Sequence, residues 1–190
     1  SIVDWVMKTI PTMGAGWCPP GILGIGIGGT PEKATLLAKE ALLTFMQQVP
    51  KHVLVVLDEA YDEYLSAQDK SLAFSWLADF DNLIVSRSFS KAYGLAGLRI
   101  GFGACHPGVA DMMNRVRQPF NVNSVAQAAA IASLQDDDFV ARSYALNQAG
   151  MLQITQGLSQ LGLSFIPSYA NFVSFAVNEA AKVNQALLQN

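Results

Sequence analysis

Apolar and polar residues change their spacing several times along this chain, and each change marks an element. Thr30 and Pro31 read as an N-cap and first helical position, and Glu32 to Leu43 follows with apolar residues at helical spacing. Val53 to Leu57 is an unbroken run of valine and leucine, the pattern of a parallel strand covered on both faces. Ser71 to Phe80 then predicts a crossover helix, Leu83 to Ser86 a second strand and Leu98 to Ala104 a third. This alternation predicts an α/β architecture with a parallel sheet and right-handed crossovers.

Beyond the third strand the texture becomes mainly helical. Pro107 to Arg117 predicts a helix, and Ser124 with Gln127 has the spacing of a capping box opening an alanine-rich helix to Leu134. Asp136, Asp137 and Asp138 suit the positive end of a long helix reaching about Leu161, which Gly162 closes. Phe165-Ile166 and Asn171 to Val177 predict strands of a smaller second layer, followed by a last helix. The first 43 residues differ, because Gly14, Gly16, Gly21, Gly24, Gly26, Gly28 and Gly29 crowd into a short apolar stretch. That is loop and tight-turn chemistry.

Composition narrows the function classes. With 51% hydrophobic and 14% charged residues the 190-residue chain can bury a sizeable core, and a net charge of -3 argues against a nucleic-acid partner. No apolar run has the length of a membrane span and no signal peptide opens the chain, which predicts a cytoplasmic protein. Both ends read as cut: Ser1 opens the chain and Gln189 and Asn190 close it without a terminating signal. Cys18 and Cys105 are too few for a disulfide scaffold or a thiolate metal site, and no metal is predicted. His52 and His106 fall at element boundaries and are expected to be structural or exposed.

The chemistry-bearing residues cluster behind two predicted strands. Asp58-Glu59-Ala60-Tyr61 follows the first, and Ser88-Phe89-Ser90-Lys91 follows the second. In a parallel sheet both fall at the carboxyl edge, where ligands bind. An acid, a phenol, two hydroxyls and a lysine would share one crevice, with Arg99 beside them. Singly, each has a bland reading: a helix cap, a solvated charge, a turn. Arg115, Arg117 and Asn121 are weaker candidates, because two arginines at a helix end equally make a solvated face.

The runs VVLDEAYDEYL at 55 to 65 and NLIVSRSFSKAYGLAGLRIGFG at 82 to 103 resemble fold-type I aminotransferases, and RQPFNVNS at 117 to 124 resembles their histidinol-phosphate branch. The resemblance covers roughly residues 44 to 190. It implies a partial fold-type I structure: residues 44 to 134 as part of the large cofactor-binding domain, and 135 to 190 as a linking helix and the start of the small α+β domain. It also implies pyridoxal 5'-phosphate as cofactor. Lys91 would bind it covalently and shuttle a proton. Asp58 would keep its ring nitrogen protonated, Tyr61 would hydrogen-bond its ring oxygen, and Ser88, Ser90 and Arg99 would hold its phosphate. The partners implied are a small-molecule amino donor and a 2-oxo acid, histidinol phosphate and 2-oxoglutarate, with the parent family homodimeric.

Residues 1 to 43 read as a separate glycine-rich extension. Gly24, Gly26 and Gly29 spell G-x-G-x-x-G, but no clear strand precedes them, and Val49 and Pro50 stand where a ribose-binding acid belongs, so dinucleotide binding is not predicted. The stretch PTMGAGWCPPGILGIGIGGTPEKATLLAKEAL at 11 to 42 resembles class I fumarase-type iron-sulfur hydro-lyases, with Cys18 at a cluster position. One thiolate cannot hold a cluster. Two other readings therefore stand beside the aminotransferase: a hydro-lyase remnant, and a non-catalytic chimeric fragment with its seam near Ala41 to Phe45.

Overall fold

The computed structural model describes residues 31 to 190 apart from Ser71 and Asn190, and for residues 31 to 39 the backbone alone. The glycine-rich stretch, Cys18 and the Thr30 cap therefore lie outside the described residues. The first helix, α1 (Pro31–Gln48), continues past Leu43 and crosses residues 41 to 45 without interruption. Its last two turns place Phe45 and Met46 in the core beside Val49, which directly follows the helix, with Leu42 and Leu43 packed against it.

The central sheet has three strands in the order β1 (Val55–Asp58), β2 (Leu83–Ser88), β3 (Gly101–Cys105). β1 and β2 are parallel, with Val55 opposite Leu83 and Asp58 opposite Ser86. Leu83 and Val85 are almost fully buried against Phe45, Met46, Val49, Ala73 and Trp76. Burial of aliphatic side chains of this size stabilises the fold by about 1.5 to 3 kcal/mol each. Buried Asn82 pins the start of this pair: its Nδ2 donates to the Val53 carbonyl at 2.9 Å, and its own carbonyl accepts from the Val55 amide at 2.8 Å.

The third strand corrects the expectation of an all-parallel sheet. β3 runs antiparallel to β2, pairing Ile84 with Cys105 and Ser88 with Gly101. A parallel neighbour needs a crossover that returns the chain to the opposite edge, normally by a helix. The link between β2 and β3 contains no α-helix. It holds a tight turn, closed by Gly94 N donating to Lys91 O at 3.0 Å and Leu95 N to Phe89 O at 2.9 Å, then a single 3-10 turn (Ala96–Leu98). The chain thus reverses at the carboxyl edge of β2.

The connection from β1 to β2 is also less regular than the predicted Ser71 to Phe80 helix. It comprises a 3-10 turn (Asp62–Tyr64) and one short helix, α2 (Ala73–Trp76). Ser75 N and Leu77 N both bond three residues back, to Leu72 O and Phe74 O, which is turn geometry. Serine and aromatic residues there supply little intrinsic helix propensity, and packing of Ala73 and Trp76 into the core fixes the segment instead.

Three helices follow: α3 (Pro107–Val116), α4 (Ser124–Ser133) and α5 (Asp137–Gln160). His106 caps α3 by accepting from Gly108 N at 3.2 Å, the structural role expected of it. The cap of α4 lies one residue earlier than predicted. Asn123 Oδ1 accepts from Ala126 N at 2.8 Å, and Gln127 Nε2 reaches Val122 O instead of closing a box with Ser124. Asparagine serves as well as serine at an N-cap, so sequence spacing alone did not separate them. Asp136 caps α5, accepting from Phe139 N at 2.9 Å, and Gly162 ends it at φ +68°. Two short antiparallel strands, β4 (Phe165–Ile166) and β5 (Ser174–Phe175), and α6 (Ala180–Leu187) complete the described chain.

The β2–β3 pairing makes a graded prediction for two glycines. A Cβ at Gly101 would lie 2.6 Å from the Arg87 carbonyl oxygen, whereas one at Gly103 would meet nothing closer than 3.7 Å. Gly101→Ala should force the strands apart and cost about 1 to 3 kcal/mol. Gly103→Ala should stay within about 0.5 kcal/mol of the parent. Urea unfolding midpoints of the two variants measure the difference.

Candidate active site

The carboxyl ends of β1 and β2 lie side by side because the strands are parallel and in register up to the Asp58–Ser86 pair. Asp58 is exposed as the last residue of β1. Its Oδ1 accepts from Ser86 Oγ at 3.2 Å and from Ala60 N at 3.1 Å. The first bond ties it to β2 and the second turns the chain after β1, as short acidic side chains do. Among the described residues Oδ2 has no such partner, so one carboxylate oxygen remains to receive a ligand's proton.

Lys91, three residues past the end of β2, approaches Tyr61. Its Nζ lies 5.3 Å from the centre of the Tyr61 ring. It is exposed and, among the described residues, makes no ion pair. Tyr61 packs against two other rings: Phe172 edge-on at 5.5 Å and Tyr64 at 6.5 Å. Phe172 arrives from the segment between β4 and β5, which Asn147 of α5 anchors by donating to Ala170 O at 3.1 Å. A hollow of about 220 Å³ is lined here by Asp58, Glu59, Tyr61, Asp62, Tyr169 and Ala170, with Leu42, Leu57 and Leu65. A wider depression beside α5, lined by Thr155, Gln156, Ser159, Gln160 and Phe165, carries no titratable group.

Ser88 and Ser90 form a small turn in which Ser88 Oγ accepts from Ser90 N at 3.1 Å. Arg99 comes to this edge because of the strand reversal. Ser88 pairs with Gly101, so a residue two positions before Gly101 lies beyond the end of β2. In a parallel β3 it would have sat at the opposite edge. Arg99 is one of three non-glycine residues with positive φ among the described residues, at +53°, and its Nη1 donates to Ala96 O at 3.1 Å. Such a backbone costs of order 1 to 3 kcal/mol and persists where the surroundings over-determine it. The structure thus joins Lys91 with Tyr61, Asp58 with Ser86 and Ser88 with Ser90. Arg99 is placed by register and makes no direct bond to the other five among the described residues.

Arg115, Arg117 and Asn121 stay outside the site. Arg115 pairs with Asp111 along α3, and Arg117 bonds Asn114 and Asn121 on the exposed surface. Among the described residues no group of His, Cys, Asp and Glu could hold a metal ion, and no helix is long and apolar enough to cross a membrane.

Sequence reasoning missed the most connected charged group. Arg87 on β2 donates from Nε to Glu59 Oε2 at 2.8 Å and places Nη2 2.7 Å from the same oxygen. Its Nη1 lies 2.9 Å from Asp62 Oδ2 and 3.3 Å from Glu63 Oε1, and the guanidinium stacks 5.1 Å from the Phe74 ring. Burial alone would lower its pKa, but Asp62, Glu59 and Glu63 together outweigh that and raise it. The signal was present, since an arginine inside an apolar strand needs a partner and DEAYDE offers four acids, three of which it takes.

The comparisons with known proteins follow this geometry. Residues 33–190 match the model for aminotransferase class I and II. The chain belongs to that family. A histidinol-phosphate aminotransferase of Methylobacillus flagellatus is 73% identical over 155 residues, which span 82% of this chain and 42% of that protein. Histidinol-phosphate aminotransferase 2 of Nitrosospira multiformis is 58% identical over 82% of this chain and 40% of its own length. The crystal structure of the Sinorhizobium meliloti histidinol-phosphate aminotransferase in complex with pyridoxal-5'-phosphate superposes with a TM-score of 0.71 at 34% identity, covering 80% of this chain and 41% of that one. The chain therefore spans about two-fifths of the length of these relatives. Residues 33 to 42, which the hydro-lyase resemblance had included, fall inside the aminotransferase match, and no finding supports an iron-sulfur enzyme.

Tyr93 gives the site a measurable alkaline signature. Its ring packs 5.0 Å from Phe89, and burial, followed by the nearby charge of Glu63, raises its ionisation above the ordinary value of 10.0. A raised folded-state pKa means that the neutral phenol's contribution is complete below about pH 10 and is lost as pH climbs through the raised value. Absorbance titration of tyrosinate should show a component ionising above pH 10 that is missing in Tyr93→Phe. The variant's stability should also fall less steeply across that alkaline window.

Proposed function

We propose that this chain is the lysine-bearing part of a pyridoxal 5'-phosphate-dependent aminotransferase that moves an amino group between histidinol phosphate and 2-oxoglutarate in histidine biosynthesis. The observation that carries this reading is the convergence of Lys91, Tyr61 and Asp58 at the paired carboxyl ends of β1 and β2. The 73% identity to a histidinol-phosphate aminotransferase supports the substrate, and the cofactor named with the Sinorhizobium structure supports the prosthetic group.

The donor set suits that cofactor. Lys91 offers an exposed amine without a competing carboxylate, which suits it to hold the cofactor covalently and afterwards to carry a proton to and from the reacting carbon. Asp58 keeps Oδ2 for a ring nitrogen while Oδ1 holds the carboxylate in place through Ser86 and Ala60. When bound, pyridoxal phosphate supplies the electron sink that stabilises a carbanion at the substrate α-carbon. The Tyr61 hydroxyl would orient the ring oxygen. Ser88 and Ser90 hydroxyls and the Arg99 guanidinium would take the phosphate, an arrangement of charge-assisted bonds.

The same reading extends to the partners: an amino donor, a 2-oxo acid, and a second copy of the full-length enzyme in a homodimer. A biosynthetic enzyme of this kind works in the cytoplasm.

Reduction with borohydride in the presence of pyridoxal phosphate, followed by peptide mapping, tests the assignment. Label should concentrate on Lys91 and vanish in Lys91→Ala, with loss of the proton-transfer step costing about 10² to 10⁴-fold in transamination rate. Label spread evenly over Lys51, Lys70 and Lys91 would remove the basis for the reading.

A further inference from the structure

The lysine and acid of the candidate site sit on two different segments, and besides the Ser86–Asp58 hydrogen bond Arg87 bridges them with several charge-assisted contacts. Glu59 follows Asp58, and Asp62 follows Tyr61, so both acids belong to the turn that leaves β1. Arg87 is the next-to-last residue of β2, directly before Ser88, and the segment that leaves the strand carries Lys91 four positions on. Its fork takes Glu59 through Nε and Nη2 and Asp62 through Nη1. We propose that Arg87 is a positioning residue of the cofactor site, holding the Asp58–Tyr61 turn at a set distance from the Ser88–Lys91 segment. This rests on the aminotransferase reading above.

Three features of the cluster point to positioning. It is built from a rigid, planar fork with a two-fold grip on one oxygen, a geometry that fixes direction as well as distance. It is buried: the Arg87 side chain is 16% exposed and those of Glu59, Asp62 and Glu63 are 4 to 6%. A buried ion pair adds little stability over apolar packing, because desolvation offsets the attraction, so the arrangement it imposes is its distinctive consequence. Finally, three carboxylates surround one guanidinium, and Asp62 Oδ1 and Glu63 Oε2 are buried without a hydrogen-bond donor. Arg87 lies within ion-pair distance of all three carboxylates. The groups facing Arg87 are Glu59, Asp62 and Glu63 from the β1 side, Phe74 from α2, and Tyr93 from the β2 side.

A lysine replaces the planar fork with a point charge on a flexible stem and cannot reproduce the directed contacts that Nε and Nη2 make with Glu59 and Nη1 makes with Asp62. Arg87→Lys should therefore keep the fold while letting the two segments drift. Glu59→Gln keeps an acceptor but weakens the grip, and should give a smaller effect. Arg115→Lys, in the exposed pair with Asp111, serves as the control. Each variant is titrated with pyridoxal phosphate, following the absorbance of the lysine-bound cofactor and its pH midpoint, with far-UV circular dichroism reporting the folded fraction. Loss of one charge-assisted bond should weaken cofactor binding about tenfold or more in Arg87→Lys. The pH midpoint should move as well, at unchanged folded fraction, with Arg115→Lys matching the parent.

Affinity and midpoint equal to the parent in both Arg87→Lys and Glu59→Gln would overturn the proposal. So would an affinity loss that follows only the folded fraction and leaves the midpoint unmoved. If the parent chain itself develops no lysine-bound absorbance, the aminotransferase reading fails and takes the proposal with it. Parent absorbance with unaffected variants removes the positioning role alone.

Discussion

Everything at the candidate site hangs on the register between β1 and β2. Because these strands run parallel with Asp58 opposite Ser86, their carboxyl ends stop at the same level, and the turns leaving them must share one edge. The serine hydroxyl that faces Asp58 then converts backbone register into side-chain order, fixing one carboxylate oxygen and leaving the other outward. A shift by one residue would flip each strand's side chains to the opposite face and remove the pairing. The register itself is held by apolar burial of Leu83 and Val85 beneath α1, and by Asn82 closing the near end of the pair. Packing thus sets the alignment that chemistry uses.

Strand reversal at β3 contributes a second constraint of the same kind. An antiparallel return keeps the chain on the carboxyl edge, so the Arg99 turn lies next to the Ser88–Ser90 turn. The left-handed backbone at Arg99 is the local cost of that tight return. Gly101 has no room for a Cβ beside the Arg87 carbonyl of the neighbouring strand. The helical C-terminal part adds its own contribution by sending Phe172 against Tyr61. The site is assembled from three stretches of chain that only the tertiary fold brings together.

Electrostatics and packing meet at Arg87. Its fork satisfies Glu59 twice and Asp62 once, yet leaves two carboxylate oxygens of the cluster without donors. Such an imbalance in a low-dielectric setting makes the cation indispensable locally: removing one partner of a buried pair typically costs about 3 to 5 kcal/mol. The family match at 33–190 includes all of these residues.

The amino-acid sequence by itself determined the local elements and the chemical candidates. The unbroken valine and leucine run at Val53 to Leu57 marked β1, Leu83 to Ser86 marked β2, Asp136 and Gly162 marked the ends of α5, and Asp58, Tyr61, Ser88, Ser90, Lys91 and Arg99 stood out as candidates for the site. Those signals are local, carried by periodicity, caps and short motifs. Tertiary structure decided what depends on distant partners. Strand direction at β3 followed from how the β2–β3 link folds, not from the apolar pattern of Leu98 to Ala104, which reads the same in either direction. Helix α2 shrank to one turn because core packing, not propensity, shapes that stretch. The Arg87 cluster joins residues 24 to 28 positions apart, a pairing that no local pattern encodes because it exists only once two parallel strands lie side by side.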